Sequence, residues 1–154
     1  MRATTLAEAQ IPDTPGNTVA GKPGSYNGGP RIDPMESPMS DTLFGKIIRR
    51  EIPATIVYED EEILGFRDIA PQAPVHVLFI PKQRVIPTLD DATADDAQLL
   101  GRLMLAAASW ARSQGLAQDG YRVVMNCREH AGQTVFHIHL HLLAGAPLGH
   151  FGTP

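Results

Sequence analysis

The sequence predicts an α+β domain: a five-stranded, mostly antiparallel sheet with one short and one long helix. Three observations predict it. Residues 135–143 alternate histidine with apolar side chains, the period of a β-strand. Residues 93–114 carry Leu100, Leu103, Met104, Ala107, Trp110 and Ala111 at helical spacing. Two short β-rich runs flank the acidic turn Asp60–Glu62, as in a hairpin. The resulting order, α-β-β-β-α-β-β, suits a mostly antiparallel sheet better than alternating βα units.

Taken in order, residues 1–39 are punctuated by Pro12, Pro15, Pro23, Pro30, Pro34 and Pro38 and by Gly16, Gly21, Gly24, Gly28 and Gly29. No helical or strand period survives that spacing. Too little apolar surface is present to offset ordering entropy, so a disordered Pro/Gly-rich tail is expected, with the folded domain over 40–154. Ser40 or Asp41 can cap a short helix, Thr42 to Arg50, with Phe44, Ile47 and Ile48 on one face and Pro53 as its stop. Ile56–Glu59 and Ile63–Arg67 form the hairpin, and Val75–Pro81 a strand that looks buried on both sides. His76, Leu78 and Ile80 share one of its faces. Thr93 with Asp96 makes an approximate capping box for the long helix, which Gly115 stops. Tyr121–Cys127 and Val135–Leu143 complete the sheet.

Composition excludes several functions. The net charge of −4 argues against general nucleic-acid affinity. No apolar run is long enough to span a membrane. Cys127 is the single cysteine, so neither an internal disulfide nor a multi-cysteine zinc site can form. One lone thiol fits a reducing cytoplasm.

The chemistry concentrates in Gly132–Leu143. On a strand, His137, His139 and His141 share one face, while Phe136, Ile138, Leu140 and Leu142 share the other as core. Adjacent imidazoles disfavour each other's charged forms. Gly132-Gln133-Thr134, just before them, offers backbone N–H groups and a hydroxyl to an anion. A neutral imidazole attacks phosphorus well, and exchanging a substrate P–N bond for an enzyme P–N bond is nearly balanced in energy. That reaction requires no metal, although paired histidines on strands also hold zinc elsewhere.

His137-Ile-His139-Leu-His141-Leu-Leu resembles the His-x-His-x-His-x-x signature of the histidine triad (HIT) superfamily. Asp41–Pro53, the Asp68–His76 loop, Pro81-Lys82, Gly120–Asn126 and Gly132-Gln133-Thr134 resemble its Hint branch, the histidine triad nucleotide-binding proteins. The resemblance runs from about residue 40 to about 145, and its pieces fall in order.

The resemblance implies a HIT-like fold and a purine nucleoside phosphoramidase, acting on adenosine or guanosine 5′-monophosphates linked to an amine, in a homodimer. It implies His139 as nucleophile and His141 at the phosphate or leaving group. His137 would orient the others, with His76 close by. Asn126, Gly132, Gln133 and Thr134 would bind the phosphate and ribose side, and Thr134 would help protonate the leaving nitrogen. Asp68 would hold the ribose hydroxyls. Phe44, Ile47, Phe66 and Ile69 would wall the base. Where some relatives carry a Cys-x-x-Cys zinc pair, this chain has Thr42 and Gly45, so neither a structural zinc nor any cofactor is expected. Residues 144–151 lack a tryptophan-containing end, and Phe151 is the candidate substitute aromatic. His130 and His150 read as exposed loop residues. Three alternatives stand beside this reading: a dinucleoside polyphosphate hydrolase of the same superfamily, a metal-dependent hydrolase using the three histidines as ligands, and a nucleotide-binding regulator.

Overall fold

The sheet runs β1-β2-β3-β5-β4, and each neighbouring pair is antiparallel. Its strands are β1 (Ile56–Glu59), β2 (Ile63–Arg67), β3 (Val75–Pro81), β4 (Arg122–Val124) and β5 (Leu140–Ala144). Helix α1 spans Leu43–Ile48 and α2 spans Ala97–Ser113. The computed structural model describes residues 42–150 and Gly152. The expected tail, the candidate caps Ser40 and Asp41, and Phe151 lie outside the described residues.

The β1–β2 hairpin and β3 match the expected spans residue for residue. The Asp60 carboxylate closes the hairpin turn by accepting the N–H groups of Glu62 and Ile63 at 2.8 and 2.7 Å. Gly65 is small for a packing reason. A Cβ there would lie 2.9 Å from both the Phe79 ring and Tyr58 Cβ. Its absence lets those rings approach to 5.9 Å between centroids.

The pleat sorts side chains onto two faces. Val77 and Phe79 of β3 and Leu140, Leu142 and Ala144 of β5 meet Leu103, Ala106, Ala107, Trp110 and Ala111 of α2. On the other face Leu64, Phe66, Leu78 and Ile80 meet Phe44 and Ile47 of α1. The α2 stripe is shifted from the expected one. Ala106 is buried, whereas Met104 is 47% exposed and Leu100 half-buried.

Element ends differ from expectation for identifiable reasons. Thr42 caps α1, its hydroxyl accepting the Gly45 N–H at 2.9 Å. The helix stops at Ile48 rather than Arg50, because Arg50 takes φ 61°, a left-handed conformation that cannot continue a helix. The Thr93–Asp96 capping box is present, but its residues form a 3₁₀ turn, and α2 proper starts at Ala97. Asp96 is buried there, accepting the Thr93 N–H at 2.8 Å and pairing with Arg84 at 2.5 Å. Gly115, at φ 71°, stops the helix as expected.

The main difference concerns the histidine segment. The strand expected over Val135–Leu143 is paired only from Leu140. Continuing the β3–β5 register would set Ile138 against Pro81, which has no N–H to donate. The Pro81 carbonyl is instead 2.9 Å from His137 Nε2. Residues 135–139 leave the sheet and lean on the connector after β3, where the Ile138 N–H donates to Ile86 O at 2.8 Å. Phe136 is therefore 54% exposed rather than core. Strand β4 is shorter than expected, Arg122–Val124; by its register with β5, Asn126 and Cys127 would face His139 and Ile138, which lie outside the sheet.

Candidate active site

The histidines lie on the α1 face of the sheet, at the back of a cleft of about 250 Å³. Phe44 and Ile47 of α1, Phe66 of β2, and Asp68 and Ile69 of the β2–β3 loop line it. Gly132, Thr134, His139 and His141 complete it. Nine of the expected site residues thus converge on one cavity from segments that are far apart in the chain.

Each imidazole has its tautomer set by a neighbour. His139 Nδ1 is 2.9 Å from the His137 carbonyl, which can only accept, so the proton sits on Nδ1 and the Nε2 lone pair is open. His137 Nε2 likewise donates to Pro81 O, while its Nδ1 lies 3.4 Å from the Thr42 hydroxyl, a long contact. The Gln72 backbone N–H donates to His76 Nδ1 at 3.0 Å. Neutral His76 therefore carries its proton on Nε2 and donates it to His141 Nδ1 at 2.9 Å. His141 in turn must carry its proton on Nε2, and that buried atom has no hydrogen-bond partner among the described residues. The pair is diagonal across the ladder, since His76 faces Leu143 and His141 faces Leu78.

Burial disfavours the charged form of each of these rings. Desolvation is the first cause that lowers the pKa of His137, opposed by its bond to Pro81 O and aided by the neighbouring His139. Desolvation also lowers His139, opposed by the His137 carbonyl and by the Asp68 charge. His76 is lowered by burial against the pull of Asp68. His141 is pushed down to about 4, by burial first and then by His139 and His76. One imidazole lone pair, on His139, is thus open, and one buried N–H, on His141, is unpaired among the described residues. Their ring centroids are 4.9 Å apart.

The remaining residues divide. Asp68 is 3.5 Å from His76 Nε2 and accepts the Ala70 N–H at 2.8 Å. Ile69 stands 95% exposed at the rim. The Thr134 side chain is exposed in the cleft beside Gly132, which takes φ 81°. His137 is fully buried behind His139, with its ring 5.9 Å from that of Phe44. His76 stands behind His141. Asn126 is half-buried and outside the cleft lining. Gln133 is 5% exposed, and its side-chain amide bonds to the Arg128 N–H and to the Pro87 and Val135 carbonyls. His130 and His150 are exposed, as expected. The groups sequence reading missed are mostly main-chain: Pro81 O, His137 O, Ile86 O and the Gln72 N–H. Every residue carries such groups, so no residue type signals them.

Asp68, His76 and His141 also bring three ligand-type atoms within 4.8 Å of one another, a donor set that could hold a divalent cation. In the structure as it stands, His76 Nε2 and His141 Nδ1 are satisfied by each other.

A fold of this topology, with two of three alternating histidines lining a cleft beside the β3–β5 ladder and the third buried behind them, is that of the HIT domain proteins. The HIT domain family matches residues 49–148, and the chain belongs to that family. It is 55% identical over 109 residues to the purine nucleoside phosphoramidase of Escherichia coli K12, covering 71% of this chain and 91% of that one. Among solved structures, a HIT family hydrolase from Legionella pneumophila superposes with TM-score 0.69 at 50% identity, over 71% of this chain and 96% of that chain. A histidine triad protein from Clostridium difficile gives TM-score 0.69 at 35% identity, over 78% and 99%. Among the described residues, no helix is long and apolar enough to cross a membrane.

Proposed function

We propose that this chain is a purine nucleoside phosphoramidase, hydrolysing adenosine and guanosine 5′-monophosphoramidates through a nucleotidyl-histidine on His139. The observation that carries the reading is the pinned ring of His139. Its Nδ1–H is held by the His137 carbonyl, which leaves Nε2 open and neutral in the cleft. Nε2 attacks the α-phosphorus, forming a P–N bond as the substrate's own P–N bond breaks. The leaving nitrogen takes a proton from the Thr134 hydroxyl and departs as the amine, and the proton given up by the water of the second step restores that hydroxyl. Water then attacks phosphorus, releasing the nucleoside monophosphate and returning the lone pair to Nε2. The unpaired His141 Nε2–H is a donor for a phosphate oxygen in both steps. Asp68 at the cleft mouth suits a ribose diol, and Phe44, Ile47, Phe66 and Ile69 suit the base. The 55% identity to the Escherichia coli phosphoramidase supports the same chemistry. The family resemblance supports a homodimer, and the lone thiol a cytoplasmic setting.

The test is AMP release from adenosine 5′-phosphoramidate by the purified full chain in excess EDTA, beside His139→Ala. Release by the parent and none by the variant is expected. The Asp68–His76–His141 donor set carries the second reading, a metal-assisted hydrolase. Activity abolished by EDTA and restored by zinc would establish that reading and overturn the metal-free one.

A further inference from the structure

Arg128 stands at φ 65°, ψ −173°, a backbone conformation open essentially to glycine alone. It begins the turn that ends at Gly132 and Thr134 in the cleft. What holds it there is Gln133. The Gln133 Oε1 accepts the Arg128 N–H at 2.8 Å, while the Arg128 carbonyl accepts the Gln133 N–H at 3.0 Å. The other end of the same amide donates to Pro87 O at 2.7 Å and to Val135 O at 3.1 Å. The amide orientation is forced, since one end faces a donor and the other two acceptors. One buried side chain thus ties three pieces of backbone together: the strained start of the turn, the connector under the histidine segment, and the residue after Thr134. All three of these side-chain bonds stay within the protein.

We infer that Gln133 is a positioning residue rather than a nucleotide ligand: it clamps the turn in a strained form that aims Thr134 and the Gly132 backbone at the phosphate. The Arg128–Asp90 ion pair at 2.7 Å braces the turn from outside, though both side chains are well exposed and add little. This inference rests on the phosphoramidase reading of the same cleft. Its logic is geometric. A phosphate ligand would keep a donor pointed into the cleft, and Gln133 has both amide ends turned inward. Displacing the turn by about 1 Å costs the chemical step far more than it costs binding of the nucleoside.

The experiment compares full-length Gln133→Ala, Arg128→Gly, Arg128→Ala and the double variant Gln133→Ala/Arg128→Gly. Each is measured for kcat and KM on adenosine 5′-phosphoramidate, for AMP affinity by calorimetry, and for melting temperature. Gln133→Ala should lower kcat about 10- to 100-fold and leave AMP affinity nearly unchanged. Adding Arg128→Gly should recover much of that loss, because glycine holds the conformation without the clamp. Should Gln133→Ala not fold, the two Arg128 variants decide. Both lose the Asp90 pair, so relief of strain makes Arg128→Gly melt higher, by about 4 °C or more, with a higher kcat than Arg128→Ala. Equal behaviour of the two overturns the clamp. So does loss of AMP affinity in step with kcat in Gln133→Ala, with no recovery from glycine, which would make Gln133 a ligand. A parent chain that binds AMP but cleaves no phosphoramidate overturns the activity reading instead, and the clamp is then judged on the order of melting temperatures alone.

Discussion

The two halves of the histidine segment are held by different physics. From Leu140 onward the chain is a sheet strand: its backbone is paired to β3 and β4, and Leu140, Leu142 and Ala144 are buried against α2. His141 is placed by that ladder, with His76 beside it. From Val135 to His139 there is no ladder. His137 and His139 are placed by individual bonds to Pro81 O and His137 O, by Ile138 on Ile86 O, and by the Gln133 amide. A ladder is cooperative and tolerant, because each bond is one of a series. A set of single bonds is not, since losing one frees one group. The paired half therefore carries stability, and the unpaired half carries the reacting atoms and the precision.

Substitutions can separate the two. The largest effect belongs to His139. His139→Gln keeps the volume but removes the open lone pair, and kcat/KM should fall on the order of 10³-fold or more while the protein still melts cooperatively. Retention of even a tenth of the rate would move the nucleophile elsewhere. Next is His137→Phe, which fills the space but abandons Pro81 O. It should lower kcat about 10- to 100-fold by releasing the carbonyl that orients His139. A rise in KM with kcat unchanged would instead make His137 a binding group. In the paired half, Leu142→Ala should cost about 2–5 kcal/mol of unfolding free energy in a urea melt and leave kcat of the folded protein nearly unchanged. A collapse of kcat without a change in stability would erase the distinction between the halves.

The smallest expected effect is on pH. His139 must be neutral to attack, and its pKa lies below the ordinary histidine value, chiefly through burial. The acid limb of kcat/KM should therefore lie below pH 6.5, the activity staying level as pH falls through that value. A limb centred above it would show that the ring is solvated. Stability follows the same sign. The unfolded chain takes up protons on these histidines below about pH 6.5, where the folded rings still refuse them, so ν of the unfolded state exceeds that of the native state. The contribution is fully present above 6.5 and is lost as pH falls toward about 4, the value for folded His141. Melting temperature measured between pH 8 and pH 4 (assay limits on the order of the histidine range) should decline mainly in that window.

Part of this protein is determined by its sequence alone. The β1–β2 hairpin and β3 follow from local period and turn chemistry, and match to the residue. The alternation of His137, His139 and His141 marks the site, because three imidazoles in a row have no packing reason to exist. Only the tertiary structure decided the rest. Reading one unbroken strand from Val135 put Phe136 in the core and all three histidines on one ladder. Nothing local reveals that Pro81, far off in sequence, fails to supply the N–H that the ladder would need at Ile138. Nor does a residue letter reveal that Gln133 faces inward, that Arg128 is held where glycine belongs, or that a Gln72 N–H sets the proton on His141 through His76. Side-chain period is a local property and is written in the chain. The partner of a backbone carbonyl is settled only when distant segments meet.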